Sequence, residues 1–252
     1  MEDLKGRRIL ITGASTGIGR SVARALAAKG AHVALHYNRS EAEAKAGRAE
    51  IEASGGKALL VRGDLSARGE AARVVAEAAA GLGGLDTLIN NAGGIVGRAP
   101  FVEIGDQLID DVFDLNVRSV IAACQAAIPF LEAAESGAII NVGSIAGHDG
   151  GGAGAALYAG AKAYVHNLTR HLARDLGPRG IRVNAVAPGV IETPFHAATP
   201  PERMEAMKKA TLLGRVGQPE DCDGTFLFLC SPAMSGYVTG QIIHLNGGQL
   251  MA

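Results

Sequence analysis

Arg8-Ile9-Leu10-Ile11-Thr12-Gly13-Ala14-Ser15-Thr16-Gly17-Ile18-Gly19 is the stretch that decides the fold. Its apolar run is continuous rather than alternating, as expected of a strand covered on both faces. The glycines at 13, 17 and 19 then let the backbone turn sharply, and a helix begins at once. Such a helix N-terminus presents unpaired N–H groups and a partial positive charge to a phosphate. The spacing is G-x-x-x-G-x-G, not the G-x-G-x-x-G of the dinucleotide fingerprint. Alone, the trio equally describes a plain strand-to-helix turn.

Outward from this unit the pattern repeats. Strands are expected at 8–12, 32–36, 58–62, 87–90, 138–142, 182–186 and 241–245. Helices are expected near 18–29, 40–54, 67–81, 103–133, 156–176 and 219–230. Strand–helix alternation implies right-handed crossovers and an α/β, Rossmann-type doubly wound parallel sheet of seven strands with helices on both faces. No linker-like shift, repeat or low-complexity tract interrupts it, so residues 1–252 are read as one domain. Ligands of such sheets bind beyond the carboxyl ends of the strands, where strand order reverses.

Bulk properties narrow the function. With 48% hydrophobic and 19% charged residues, the chain can bury a real core. Aromatics are only 4%, so Ala, Val, Leu and Ile must fill that core. A net charge of −1 gives no basic field for nucleic acid or an anionic membrane. No run of about 18 apolar residues predicts a membrane span, and the short charged lead before Ile9 leaves no room for a secretory signal. Cys124, Cys222 and Cys230 have no metal-like spacing, and no metal site is expected. Together these point to a cytoplasmic protein.

Tyr158 and Lys162 lie four apart in a helical stretch and so share a face. A phenol titrates near 10, and a neighbouring ammonium favours its phenolate, the tuning a general acid–base acting on an alcohol needs. Y-x-x-x-K is common by chance. The ordered set is not: the 12–19 turn; Asp64; Asn90-Asn91-Ala92-Gly93; Asn116; Ser144; Tyr158 and Lys162; Pro188-Gly189 with Thr193; and the closing 240–248 segment. With this set the chain resembles, essentially end to end, the compact single-domain branch of the short-chain dehydrogenase/reductase family, which includes 3-oxoacyl-carrier-protein reductases and sugar or polyol dehydrogenases.

The resemblance implies an NAD(P)-dependent alcohol dehydrogenase or carbonyl reductase moving a hydride between the nicotinamide ring and a carbonyl/secondary alcohol. Tyr158 would exchange the proton with the substrate oxygen and Ser144 would hydrogen-bond that oxygen. Lys162 would lower the Tyr158 pKa and hold ribose hydroxyls, and Asn116 would anchor a water-linked proton relay. Gly13, Ser15, Thr16, Gly17, Ile18 and Gly19 would receive the pyrophosphate. Asp64 and Leu65 would meet the adenine, with Asn91, Ala92 and Gly93 near its ribose. Ile191 and Thr193 would bind the carboxamide, and Pro188 and Gly189 would also contact the cofactor. Assembly as a homotetramer through the Ala-rich helices at 103–133 and 156–176 and the closing strand is also implied.

NADP is expected over NAD. The end of the second strand, read as Tyr37, lacks the carboxylate that repels a 2′-phosphate, and Asn38, Arg39 and Ser40 follow. Thr16, where many NADP-binding relatives carry Arg, points the other way. The loop between Ser144 and Tyr158 is one residue longer than the family spacing and glycine-rich. Substrate loops are expected at about 144–157 and 190–215, with His148, Asp149 and His196 as candidate contacts or plain solvated residues. Two other functions share this logic: a non-catalytic dinucleotide sensor, and a sugar epimerase or dehydratase. The complete Ser144, Tyr158, Lys162 and Asn116 set argues against the first. The second would be expected to bring a C-terminal substrate domain and a differently spaced glycine turn, and the 13–19 spacing argues against it. The substrate stays open among sugars, polyols, acyl-thioesters, steroids and small ketones.

Overall fold

The computed structural model describes residues 1–197 and 199–251. Seven strands, β1 (Arg8–Ile11), β2 (His32–Tyr37), β3 (Lys57–Arg62), β4 (Thr87–Asn90), β5 (Gly137–Val142), β6 (Ile181–Pro188) and β7 (Ile242–Leu245), form one sheet. Their order is β3-β2-β1-β4-β5-β6-β7 and every pairing is parallel. The chain winds outward from β1 through β3, then returns to place β4 on the other side of β1. That reversal is the switch point at which a ligand crevice opens.

Strand alternation divides the core into two layers. Ile9 and Ile11 join Val33, Leu35 and Ile140 against α1 (Gly17–Ala28) and α9 (Glu220–Cys230), where Val22, Leu26, Phe226 and Leu229 are buried. Leu10 points the opposite way. With Leu88, Ile139 and Val183 it packs on α3 (Glu70–Leu82), α5 (Ser119–Glu132) and α7 (Ala156–Leu176), through Val74, Ala78, Ala127 and Leu176. Both faces are covered, which is why the strands carry no polar alternation. The remaining helices are α2 (Glu41–Ala53), α4 (Asp106–Phe113) and α6 (Ala146–Asp149), with α8 (Pro201–Lys209) and α10 (Pro232–Ser235) later in the chain. Among the described residues no helix is long and apolar enough to cross a membrane.

The helix expected over 103–133 is a broken one. A short 3-10 turn, Phe101–Glu103, precedes α4, and Asp114–Arg118 forms a π turn before α5. Asn116 sits in that turn and donates from Nδ2 to the Val112 carbonyl at 2.9 Å, a side chain competing for a helix acceptor. Such bulges concentrate at functional sites. The helix expected from 67 starts at Glu70, because Gly69 at its N-cap has a φ of +83°, outside the helical region.

Candidate active site

The glycine turn is clamped to the sheet before it meets any ligand. Thr12 Oγ1 accepts from the N–H groups of Asn91 and Ala92, both at 2.9 Å. Asn91 Nδ2 donates back to the carbonyls of Thr12 and Gly13 at 2.8 and 2.9 Å. These bonds tie the ends of β1 and β4 together across the switch point. Gly13 and Gly17 have φ of +63° and +55°, where a side chain is strained. Thr16, at the N-cap of α1, makes no side-chain cap bond, so the first N–H groups of the helix stay open.

A cleft of about 1100 Å³ runs over these strand ends. Gly13, Ser15, Thr16, Gly17 and Ile18 line it at the turn. Gly19 does not: a Cβ there would lie 2.5 Å from the Gly13 carbonyl oxygen, so this glycine serves turn-to-helix packing. Asn38, Arg39, Ser40, Asp64 and Leu65 line the adjoining end. Tyr37 is a correction. Side chains alternate along β2, and Tyr37 is buried in the core while His36 faces the cleft. Gly13 N–H donates to His36 Nδ1 at 3.0 Å, which leaves the proton on Nε2, 3.1 Å from the Gly63 carbonyl. Burial holds the His36 pKa down, so the ring is a neutral strut for the turn. Asp64 accepts from Ser66 N–H and Oγ at 3.1 and 2.6 Å, and these bonds hold its carboxyl below the usual range.

The far end is built from β4, β5 and α7. Lys162 is 4% exposed, and Nζ donates to the Val142 carbonyl at 2.7 Å. An ammonium has three donors, so two remain for the cleft that Lys162 lines. Burial pushes its pKa down to about 8. Tyr158 differs from expectation. Burial raises its phenol above the ordinary value, and the Ser144 hydroxyl, hydrogen-bonded to it, pulls the other way. Lys162 Nζ lies 5.7 Å from the Tyr158 ring centroid, yet the chain's own groups do not deliver a lowered phenol. Ser144 Oγ also accepts from Ala146 N–H at 3.1 Å, which fixes it at the start of α6.

Asn116 is fully buried and off the cleft. Its amide clamps Gly94, accepting from the N–H at 3.0 Å and donating to the carbonyl at 2.9 Å. Gly93 fills the gap between: a Cβ there would sit 2.8 Å from Asn116 Oδ1 and 3.1 Å from Lys162 Nζ. Asn91, Ala92 and Gly93 line the cleft beside Lys162. Pro188, Gly189, Ile191 and Thr193 close the opposite wall, where the Thr193 side chain is 3.1 Å from a Cβ built on Gly17.

Asp149 and His196 line the cleft, but His148 does not. Its ring packs against His166 and His244, with centroids 4.7 and 4.6 Å apart. Sequence reasoning missed His36, Arg98, Phe195 and Arg203, all of which line the cleft. Phe195 packs on Tyr158 at 5.9 Å between centroids. His36 could have been found by carrying the period-2 alternation one residue back from the strand end. The other three stand in loops or a short helix without periodic signal.

The cradle suits a nicotinamide dinucleotide. Side-chain-free glycines and an uncapped helix end stand where phosphates need backbone N–H groups, and a buried lysine with spare donors stands where ribose hydroxyls need them. Fold and site together define an NAD(P)-dependent oxidoreductase. Residues 13–249 match the family described as enoyl-(acyl carrier protein) reductase. The chain is 41% identical to the 3-oxoacyl-[acyl-carrier-protein] reductase FabG of Staphylococcus aureus over 242 residues, 96% of this chain and 97% of that one. The NADH-dependent reductase A1-R' responsible for alginate metabolism superposes over 100% of both chains with a TM-score of 0.93 and 37% identity. A short-chain dehydrogenase from Burkholderia cenocepacia J2315, in complex with NADP, covers 98% of this chain and 99% of its own at TM-score 0.91 and 36% identity. The chain belongs to the short-chain dehydrogenase/reductase family.

Proposed function

We propose that this protein interconverts a carbonyl compound and its secondary alcohol, with Tyr158 as the acid–base. The observation that carries the reading is the meeting of two hydroxyls, Ser144 and Tyr158, in the cleft beside the buried Lys162 ammonium. Two hydroxyl donors on one atom suit a C–O centre, not a C=C bond. When bound, the cofactor supplies or receives the hydride. In reduction Tyr158 Oη gives its proton to the substrate oxygen while Ser144 Oγ holds that oxygen in place; in oxidation the proton returns. Lys162 keeps a positive charge near the phenol and so favours phenolate as the proton leaves. Asn116 acts at one remove, by fixing the Gly94 backbone beside the site.

The same reading takes 1–252 as one domain, with substrate loops at about 144–157 and 190–215. Arg39, Asn38 and Ser40 at the adenine end favour NADP over NAD. The edge position of β7 and its apolar residues Ile242, Ile243 and Leu245, which the fold leaves only partly buried, favour a homotetramer closed through that strand; light scattering at micromolar concentration checks it. Three buried free cysteines favour the cytoplasm.

Tyr158→Phe tests the core of the proposal, because it removes one hydroxyl and keeps the ring that packs on Phe195. Turnover is expected to fall by roughly 10²–10⁴ with cofactor binding retained. More than about a tenth of wild-type activity would overturn the assignment.

A further inference from the structure

Resting on the carbonyl reading above, we infer that the substrate carries an anionic group, a carboxylate or a phosphate, held by Arg98 and Arg203. The two side chains reach the substrate end of the cleft from unrelated parts of the chain, the loop after β4 and the helix α8. They converge on the glycine-rich loop that precedes Tyr158. Arg98 Nη1 donates to the Ala153 carbonyl at 2.9 Å, and Ala99 N–H reaches the Gly154 carbonyl at 3.3 Å. A Cβ on Gly154 would come within 3.2 Å of Arg98 Cβ, and one on Gly152 would collide with Arg203 Nη2. The unusual glycines therefore make room for two guanidinium side chains.

Bringing like charges together is unfavourable unless an anion joins them. Among the described residues neither arginine has a carboxylate within ion-pair distance, although eleven other pairs form. The carboxylates on the same cleft are engaged elsewhere. Asp149 accepts from Gly151 N–H at 2.8 Å, Asp111 from Gln107 at 2.9 Å, Asp114 binds Arg118, and Asp64 is taken by Ser66. Burial and the Arg203 charge hold the Arg98 pKa below its ordinary value, and burial followed by both arginines does the same to His196. His196 is thus a neutral neighbour, not a third cation. The planar guanidinium fork matches a carboxylate or phosphate edge with paired donors, and the Phe195–Tyr158 contact ties this corner to the reacting oxygen.

The test compares levulinate with methyl levulinate, and dihydroxyacetone phosphate with dihydroxyacetone, in the wild type, Arg98→Gln and Arg203→Gln. In the wild type kcat/KM should favour one anionic member over its neutral partner by about 10- to 100-fold, the range of a hydrogen bond to a charged group. Each variant should lose most of that ratio through KM. The pair that shows the preference tells carboxylate from phosphate. A second readout needs no turnover: malonate or inorganic phosphate should raise the Tm of the wild type and not of the double variant. Turnover of the ketones with no anionic preference overturns this inference and leaves the carbonyl reading standing. If no carbonyl compound is turned over, the parent reading fails, and the Tm shift alone then decides whether the anion site exists.

Discussion

Lys162 Nζ donates to the carbonyl of Val142, the last residue of β5, at 2.7 Å, and this bond is what carries an ammonium into the interior. Burial depresses its pKa from 10.5 to about 8, so the folded chain binds fewer protons than the unfolded chain between those values. Stability should therefore rise with pH across that window, and the cost of the buried charge should be fully present below pH 8. The expected size from pH 7.5 to 9.5 is on the order of 1–2 kcal/mol. Urea unfolding of the wild type and Lys162→Met at both pH values isolates it. A wild-type-minus-variant difference that does not move with pH contradicts the buried-ammonium picture.

The histidine stack predicts a pH dependence of the same sign in a more acidic window. His166 is 2% exposed, and burial, then the charges of His148, Lys162, Arg170 and His244, push its pKa down to about 3. The neutral ring is favoured in the fold, so its contribution is complete above pH 6.5 and is lost as pH falls towards 3. Between pH 6.5 and 4.5 the wild type should lose about 2 kcal/mol more than His166→Gln. Equal losses in the two proteins, measured by denaturant titration, would refute it.

Most of the architecture was legible because it rests on periodicity. The 8–19 unit carried the strand, the turn and the helix, and the same alternation placed all seven strands within a residue or two of their ends. What escaped was whatever depends on one residue of register or on tertiary approach. Tyr37 and His36 are adjacent, and only the pleat decides which of them faces the cleft. Asn116 reads as one more helical residue, because a π turn has no composition of its own. Arg98 and Arg203 are more than a hundred positions apart and meet only once the sheet is wound. The glycine-rich loop was visible as an anomaly, but the side chains that need its glycines were not.

Glycines separate packing from backbone strain in a measurable way. A Cβ on Gly19 would lie 2.5 Å from the Gly13 carbonyl oxygen and 3.0 Å from Ala14 Cα, backbone atoms that cannot step aside without moving the turn. Gly19→Ala should cost about 1–3 kcal/mol and weaken dinucleotide binding as well. Gly224, inside α9 with nothing within 4 Å of a built Cβ, is the contrast. Gly224→Ala should stabilise by roughly 0.5–1 kcal/mol. Thermal unfolding with a cofactor titration reads both; a neutral Gly19→Ala would mean the turn is looser than its contacts imply.

Cofactor choice rests on the segment that follows β2. Asn38, Arg39 and Ser40 line the cleft beside Asp64 and Leu65, and no carboxylate precedes Glu41 in that segment. Among the described residues, Asp64 is the acid that lines this wall, and its oxygens are drawn to Ser66 and Asn38. A 2′-phosphate would therefore meet two neutral donors and a free guanidinium, since Arg39 makes no ion pair among the described residues. A charge-assisted pair between phosphate and guanidinium is stronger than a neutral hydrogen bond, but Arg39 is exposed and solvent weakens its hold. The wild type should prefer NADPH to NADH in kcat/KM, and Arg39→Ala should cut that preference by about tenfold through KM, with kcat little changed. Adding a carboxylate by Asn38→Asp should reverse the preference by repulsion of the phosphate. An NADH preference in the wild type, or an unchanged ratio in Arg39→Ala, would show that this segment does not read the phosphate.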